Sequence, residues 1–298
     1  MTQTTQDKRG VWLENYDGEY GTDYPGGDKP APGGFSYQWS EDFEGGTLGN
    51  SISSAGFSDT NGVFDNTHTF SGTKAARHDM TQGSDNALAY GFARTDMPTM
   101  HEGDEVWIQG MFYYPAGWDF GNAGDSNLGG SAQRSKFFRW RVYNNADVSL
   151  GYNDIYLWKD VSEPNQSRWQ FIFENQGTGT WAFNYSSDEA AGRGPAPITG
   201  IPLGEWVKVE LYIKFHSDPA QARVRMWVNN VLSFQISDMK TLNSSTDYTA
   251  EFRYCTYYNG GAPANQSMWT DRWRMCSSVT DTPTNTDAGG NFFIGDGA

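Results

Sequence analysis

The stretch GEWVKVELYIKFH, residues 204–216, decides the fold class. Val207, Val209, Leu211, Ile213 and Phe215 point one way, while Trp206, Lys208, Glu210, Tyr212, Lys214 and His216 point the other. That two-residue period is the signature of a half-buried strand in an antiparallel sheet. The next segment, ARVRMWVNN (222–230), opposes Val224, Met226 and Val228 to Arg223, Arg225 and Trp227, and its Asn229-Asn230 suits the tight turn of a hairpin. EFRYCTYYNGG (251–261) then places Arg253, Cys255 and Tyr257 on one face and closes on a glycine turn. The three segments read as strands of one sheet, and the Arg- and Tyr-bearing face is the one of functional interest.

Outward from this stretch the same rhythm continues. Strands are expected around 39–44, 67–78, 87–94, 105–114, 136–143, 154–160, 169–174, 180–185, 205–215, 223–236, 250–258 and 267–276, with turns every eight to twelve residues. With 12 Trp, 16 Tyr, 18 Phe and 35 Gly in 298 residues, the composition suits many strands joined by tight turns. No helical stripe exceeds about three turns, which excludes a helical bundle. A chain of this length is compatible with one all-β domain, and residues 1–298 are read as one. Its first part, about 1–38, is an irregular arm rich in Gly, Pro, Asp and Tyr, as in NYDGEYGTDYPGGDKPAPGG (15–34). The loop GWDFGNAGDSNLGGSAQRS (117–135) is long, and long loops of compact β domains usually carry function.

The formal charge of −15 argues against a nucleic-acid partner, because phosphate binding needs a basic field. Lys and Arg are few but cluster around 134–141, 208–225 and 253–274, so a local groove could still take an anionic polymer. No apolar run reaches the length of a membrane span, and the start, MTQTTQDKRG, lacks the apolar core of a signal peptide. An extracellular or virion-associated setting is expected, with no membrane partner and with the chain acting as a monomer.

Metal and redox chemistry have little support. His68, His78, His101 and His216 show no HExxH or HxH spacing, so no transition-metal site is expected. Asp17, Asp23 and Asp28 fit no EF-hand loop. Asp271 could close a structural calcium site or pair with Arg272. No cofactor is expected, and structural calcium is left open. Cys255 and Cys276 lie on strands that could be neighbours, which also leaves one disulfide open.

Three segments carry a resemblance. EGDEVWIQGMFYYPAGWDF (102–120), followed by a glycine-rich loop and SKFFRWRV (135–142), resembles the run of strand, Pro-x-Gly-Phe/Trp-Asp-Phe, glycine loop and Arg strand of the jelly-roll polysaccharide lyases, the alginate and glucuronan lyase group. GEWVKVELYIKF with RVRMWVNN is similar to the Trp strand and "WVNG" hairpin that those lyases share with heparin lyases and laminin-G-like lectin domains. EFRYCTY (251–257) resembles the lyases' "YFKAGxY" strand, with Arg253 in place of their Lys and Tyr257 in place of their terminal Tyr. No "QxH" follows the Arg strand. The resemblance implies a β-jelly-roll sandwich of two antiparallel sheets with a concave carbohydrate groove, and a lyase acting on an acidic, uronic acid-containing polysaccharide.

The residues fit that chemistry. β-Elimination removes the C5 proton of a uronate and expels the 4-linked oxygen, which needs cations to neutralise the adjacent carboxylate and stabilise the developing enolate. Arg139 and Arg141 alternate with Phe138 and Trp140, so two guanidinium forks can project from one strand toward a carboxylate. Tyr257 is the candidate proton donor, and also the base if the flanking Arg253 and Arg141 favour its phenolate. Lys136, Tyr156, Trp158, Arg253 and Asn259 are candidate substrate contacts, the aromatics by stacking on sugar rings. Each has a plainer reading: the arginines as the polar side of a solvent-facing sheet, Tyr156 and Trp158 as packing residues, His216 as a loop residue. A non-catalytic glycan-binding domain, lectin-like or a phage or surface adhesin, is the alternative function. A glucanase-type hydrolase ranks last because no ExDxE-like pair of carboxylates is present.

Overall fold

The computed structural model describes residues 5–6, 12–13, 37, 39–55, 62–84, 98–121, 134–159, 167–175, 180–186, 201–237, 239–254 and 257–296. The strand expected at 87–94, most of the N-terminal arm and most of the 117–135 loop lie outside these residues. In chain order the strands are β1 (Thr5–Gln6), β2 (Trp12–Leu13), β3 (Trp39–Glu41), β4 (Gly62–Asp65), β5 (Ala75–Met80), β6 (Glu105–Tyr113), β7 (Arg134–Tyr143), β8 (Ser149–Lys159), β9 (Ser167–Asn175), β10 (Thr180–Ser186), β11 (Trp206–Lys214), β12 (Arg223–Val228), β13 (Val231–Ile236), β14 (Tyr248–Tyr254), β15 (Tyr258–Asn259), β16 (Gln266–Ser277), β17 (Asn285–Thr286) and β18 (Phe292–Phe293).

Two antiparallel sheets dominate. One runs β10-β9-β8-β7-β14, with β15 also on β7; the other runs β13-β12-β11-β6-β16-β5-β4, with β3 on β16. Strands distant in sequence lie side by side in both sheets. The hairpin between β12 and β13 turns on Asn229 and Asn230, whose φ values of 48° and 66° are the left-handed pair that a tight turn matched to strand twist requires.

The inner faces are the apolar halves of the alternation. Val207, Val209, Leu211 and Ile213 of β11 are all buried, as are Phe138, Trp140 and Val142 of β7, and one core cluster spans both sheets. Aromatic rings interlock across the interface: Phe112 of β6 lies 4.6 Å from Phe137 and Trp273 of β16 lies 6.2 Å from Phe138, while Phe112 and Trp273 pack 5.3 Å apart within their own sheet. Gly110 makes room for this, since a Cβ there would stand 3.1 Å from the Trp273 ring.

Three expectations change. Residues 251–254 do not share a sheet with β11 and β12: they lie on β14, which belongs to the opposite sheet, because its register partner is β7. Cys276 of β16 carries a free thiol, buried among Trp107, Tyr212 and Trp227 on the face turned away from the interior; Cys255 lies outside the described residues. The polar face of β11 is not solvated either. Lys208, Glu210 and Tyr212 are buried, because residues 285–296 fold across them. Glu210 accepts the backbone N–H groups of Ile294 and Gly295, Gln109 Nε2 donates to Glu210 and to the Gly295 carbonyl, and Lys208 pairs with Asp296. Trp107 and Trp227 donate their indole N–H groups to the Phe292 carbonyl and to Asp287. Lys208, Glu210, Gln109, Trp107 and Trp227 each find a polar partner in that closing segment, while the Tyr212 hydroxyl donates to Glu105 at 3.0 Å, and these bonds let a half-polar strand become an interior one.

Candidate active site

The face of the six-stranded sheet turned away from the core collects the Arg and Tyr side chains into cross-strand rows. Antiparallel register fixes each row, since residues directly opposite have Cβ atoms about 4.5–5.5 Å apart. Glu251 lies opposite Arg141, and Arg141 opposite Tyr152. Arg253 lies opposite Arg139, and Arg139 opposite Asp154. Lys136 lies opposite Tyr156, and its N–H donates to the Tyr257 carbonyl at 2.8 Å, so Tyr257 completes that row. The two-residue period that buries Phe138 and Trp140 turns Arg139 and Arg141 outward, and a register shift between Lys136 and Phe138, with Phe137 and Phe138 both buried, brings Lys136 to the same face as Arg253, Tyr156 and Tyr257.

Asp154 holds the middle row. Arg139 donates to it from Nε at 2.5 Å and Nη2 at 2.8 Å, a bidentate fork, and the Tyr156 hydroxyl donates to its Oδ2 at 3.0 Å. Asp154 and Tyr156 are each 1% exposed. Tyr156 thus has no open ring face for a sugar, and the stacking platform expected there is a buried support for Asp154. The Tyr152 ring lies beneath two guanidiniums, 3.9 Å from Arg139 Cζ and 4.3 Å from Arg141 Cζ. Lys136 places its ammonium 4.4 Å from the centre of the Tyr257 ring and 6.0 Å from that of Tyr156.

Glu251 is the second carboxylate of the face. It pairs with Arg253 two residues along its own strand and stands 3.6 Å from Arg141 Nη1, while the Tyr143 hydroxyl donates to it at 2.6 Å. Burial, and the carboxylate accepting its proton, push the Tyr143 phenol up. Arginines and carboxylates are layered. The side chains of Arg139, Arg141 and Arg253 keep 15%, 22% and 25% of their surface exposed, against 2% for Asp154 and 9% for Glu251. The face presents positive charge to solvent on a chain whose net charge is −15.

Asp154, Glu251, Tyr143 and Tyr152 were not singled out in the sequence. The signal was there: Tyr152, Asp154 and Tyr156 alternate on β8, and Glu251 sits two residues before Arg253. The backbone puts Trp158 opposite Arg168 and Asn259 opposite Arg134, and the side chains of Trp158 and Asn259 lie outside the described residues. The Asp271 oxygens accept the backbone N–H groups of Phe70, Ser71 and Arg272, and burial lifts its pKa to about 7. Among the described residues no group of His, Cys, Asp and Glu is arranged to hold a metal ion. His216 closes β11 beside Glu102, 3.4 Å away, as a loop residue.

The fold is a jelly-roll sandwich, and the family it belongs to is shown by its sequence. Residues 38–274 match the polysaccharide lyase family, and the chain belongs to that family. It is accordingly a lyase, and the non-catalytic alternative is not favoured. No curated protein sequence matches the chain. Solved structures with the same fold include the alginate lyase Aly36B (TM-score 0.53, 11% identity, 79% of this chain and 95% of that one). The marine PL-14 alginate lyase from Aplysia kurodai (0.51, 11%, 81% and 99%) and the endo-β-1,4-glucuronan lyase from the fungus Trichoderma reesei (0.50, 13%, 83% and 98%) also share it. At these identities the likeness is one of fold.

Proposed function

We propose that this protein cleaves a uronic acid-containing polysaccharide by β-elimination on the outer face of the six-stranded sheet. The observation that carries the reading is the layering of that face: Arg139, Arg141 and Arg253 toward solvent, their carboxylates beneath, and Tyr257 one row away beside Lys136. Structures of the same fold are named as alginate and glucuronan lyases, which points to the same substrate class.

Arg141 and Arg253 receive the substrate carboxylate, and Arg139, locked by Asp154, fixes the field behind them. Neutralising the carboxylate acidifies the C5 proton and stabilises the enolate as it forms. The step requires the phenolate form of Tyr257, which takes the C5 proton. The electron pair forms the C4–C5 double bond, the C4–O bond breaks, and the departing oxygen recovers the proton from Tyr257, so the protein ends in its starting state. Lys136, over the Tyr257 ring, balances the phenolate charge. Trp158 and Asn259 are the proposed flanking sugar contacts. The substrate being a polymer, we place the activity outside the cell, as a secreted or virion-borne monomer that needs no cofactor.

The test is incubation with alginate, glucuronan, heparinoids and ulvan while following the ultraviolet absorbance of the new double bond. Absorbance growth on at least one polyuronate is expected, and silence on all of them removes the reading.

A further inference from the structure

We infer that Glu251 is a positioning residue: a built-in carboxylate that aims Arg141 and Arg253 at the substrate carboxylate and sets how tightly the face holds a polyanion. The inference rests on the substrate face proposed above.

Arg253 and Arg139 stand directly opposite each other on β14 and β7, and like charges in that relation repel. Each therefore needs its own anion. Asp154 is fully used by Arg139 and Tyr156, through both carboxylate oxygens. Glu251 serves the remaining two guanidiniums, pairing with Arg253 along its own strand and with Arg141 across the ladder. Among the described residues these three guanidiniums share two carboxylates, and Glu251 is the one that is shared. Arg141 is the looser partner. Its Nη1 stays 3.6 Å from Glu251, beyond hydrogen-bond length, and among the described residues its buried Nε finds no acceptor.

Glu251 is also unsuited to take the C5 proton. It lies at 9% side-chain exposure beneath the arginines, and Tyr143 donates to its Oε2 at 2.6 Å. What this geometry supplies is orientation: the carboxylate braces both forks from below, and Tyr143 braces the carboxylate. An arriving uronate meets donors already aimed, with their reorganisation settled before binding.

Kinetics of Glu251→Gln, Glu251→Asp and Tyr143→Phe on a polyuronate, with binding of alginate followed over a range of salt, tests this. Glu251→Gln keeps the shape and removes the brace's charge, so kcat should fall roughly 10- to 100-fold from lost orientation. KM and the alginate Kd should fall about three- to tenfold, with a steeper dependence on ionic strength, because one more positive charge is left uncompensated. Glu251→Asp keeps the charge at shorter reach and should restore wild-type KM and salt dependence with an intermediate kcat. Tyr143→Phe should lower kcat alone. A merely structural Glu251 would lower the melting temperature and leave KM, Kd and salt dependence unmoved; that result, or a folded Glu251→Gln with wild-type kcat, overturns the inference. If Glu251→Gln does not fold, wild-type kcat in Glu251→Asp overturns it. If the wild type cleaves no polyuronate, the failure falls on the proposed reaction, and the alginate Kd and its salt dependence still decide the role of Glu251.

Discussion

Arg139 donates a two-point fork to Asp154, a carboxylate that is 1% exposed and also accepts the Tyr156 hydroxyl. The most prominent arginine of the sheet is thus structural as much as functional. Arg141, two residues on, keeps 22% of its side chain exposed, stacks on the Tyr152 ring and meets Glu251 only at 3.6 Å. The pair should separate cleanly under mutation.

Asp154→Ala removes the acceptor of the two-point fork from Arg139 in a mostly buried position, and breaking a buried pair from one side typically costs about 3–5 kcal/mol. A large drop in the denaturant midpoint is expected. Arg141→Ala removes a half-exposed side chain that the core does not need, so the melting temperature should barely move. Its turnover should fall by roughly 10²- to 10³-fold, the scale of losing one fixed donor to a developing oxyanion.

Tyr257→Phe keeps the ring under the Lys136 ammonium and deletes the oxygen that carries the proton. Turnover should be lost and affinity for the polymer kept. A fully active variant would move the proton-transfer role to another residue of the face.

Stability should also report the closing segment over β11. Burial raises Glu210 to about 7, against the bonds from Ile294 and Gly295 and the charge of Lys208, which pull the other way. Unfolded, the same group titrates near 4.5. Between those values the native state binds more protons, so this contribution is full below pH 4.5 and is lost as pH rises through about 7, by at most about 3 kcal/mol. Glu210→Gln mimics the protonated form. Melts from pH 4.5 to 7.5 should show the wild type losing ground relative to that variant as pH rises.

Gly110→Ala places a Cβ 3.1 Å from the Trp273 indole, which is itself held by the ring of Phe112 in its own sheet and that of Phe138 in the other. Overpacking of this kind costs about 1–3 kcal/mol. The denaturant midpoint should fall with little change in kcat at low temperature, because Gly110 faces away from the arginines.

Alternation made most of this legible. A period of two assigns Val207 to the core and Arg139 and Arg141 to the opposite face without any knowledge of neighbours, and both assignments hold. Register between distant strands is not encoded in that period. The placement of β14 beside β7 rather than beside β12 was therefore not visible, nor were the Glu251–Arg141 and Asp154–Arg139 pairs that follow from register. The same blindness affected Lys208 and Glu210: their alternation with Val207 and Val209 reads as a wet face, and only the return of residues 285–296, more than 70 positions later, dries it.

Salt dependence probes the layering of charge. A positive face on a protein of net charge −15 attracts a polyanion only at short range, over a screening length of about 8–10 Å at physiological ionic strength. Affinity for polyuronate should fall as salt rises. Salt-insensitive binding, or preference for a neutral glucan, would contradict the arrangement of arginines above carboxylates.

The chemistry itself is read most directly from the mass of the products. Elimination splits the chain without adding water and leaves an unsaturated sugar at each new non-reducing end, whereas hydrolysis adds one water at each cut. Mass spectrometry of an alginate or glucuronan digest should show oligomers whose masses are whole multiples of the chain residue, with no water gained. Oligomers heavier by one water, from the same purified protein, would contradict β-elimination.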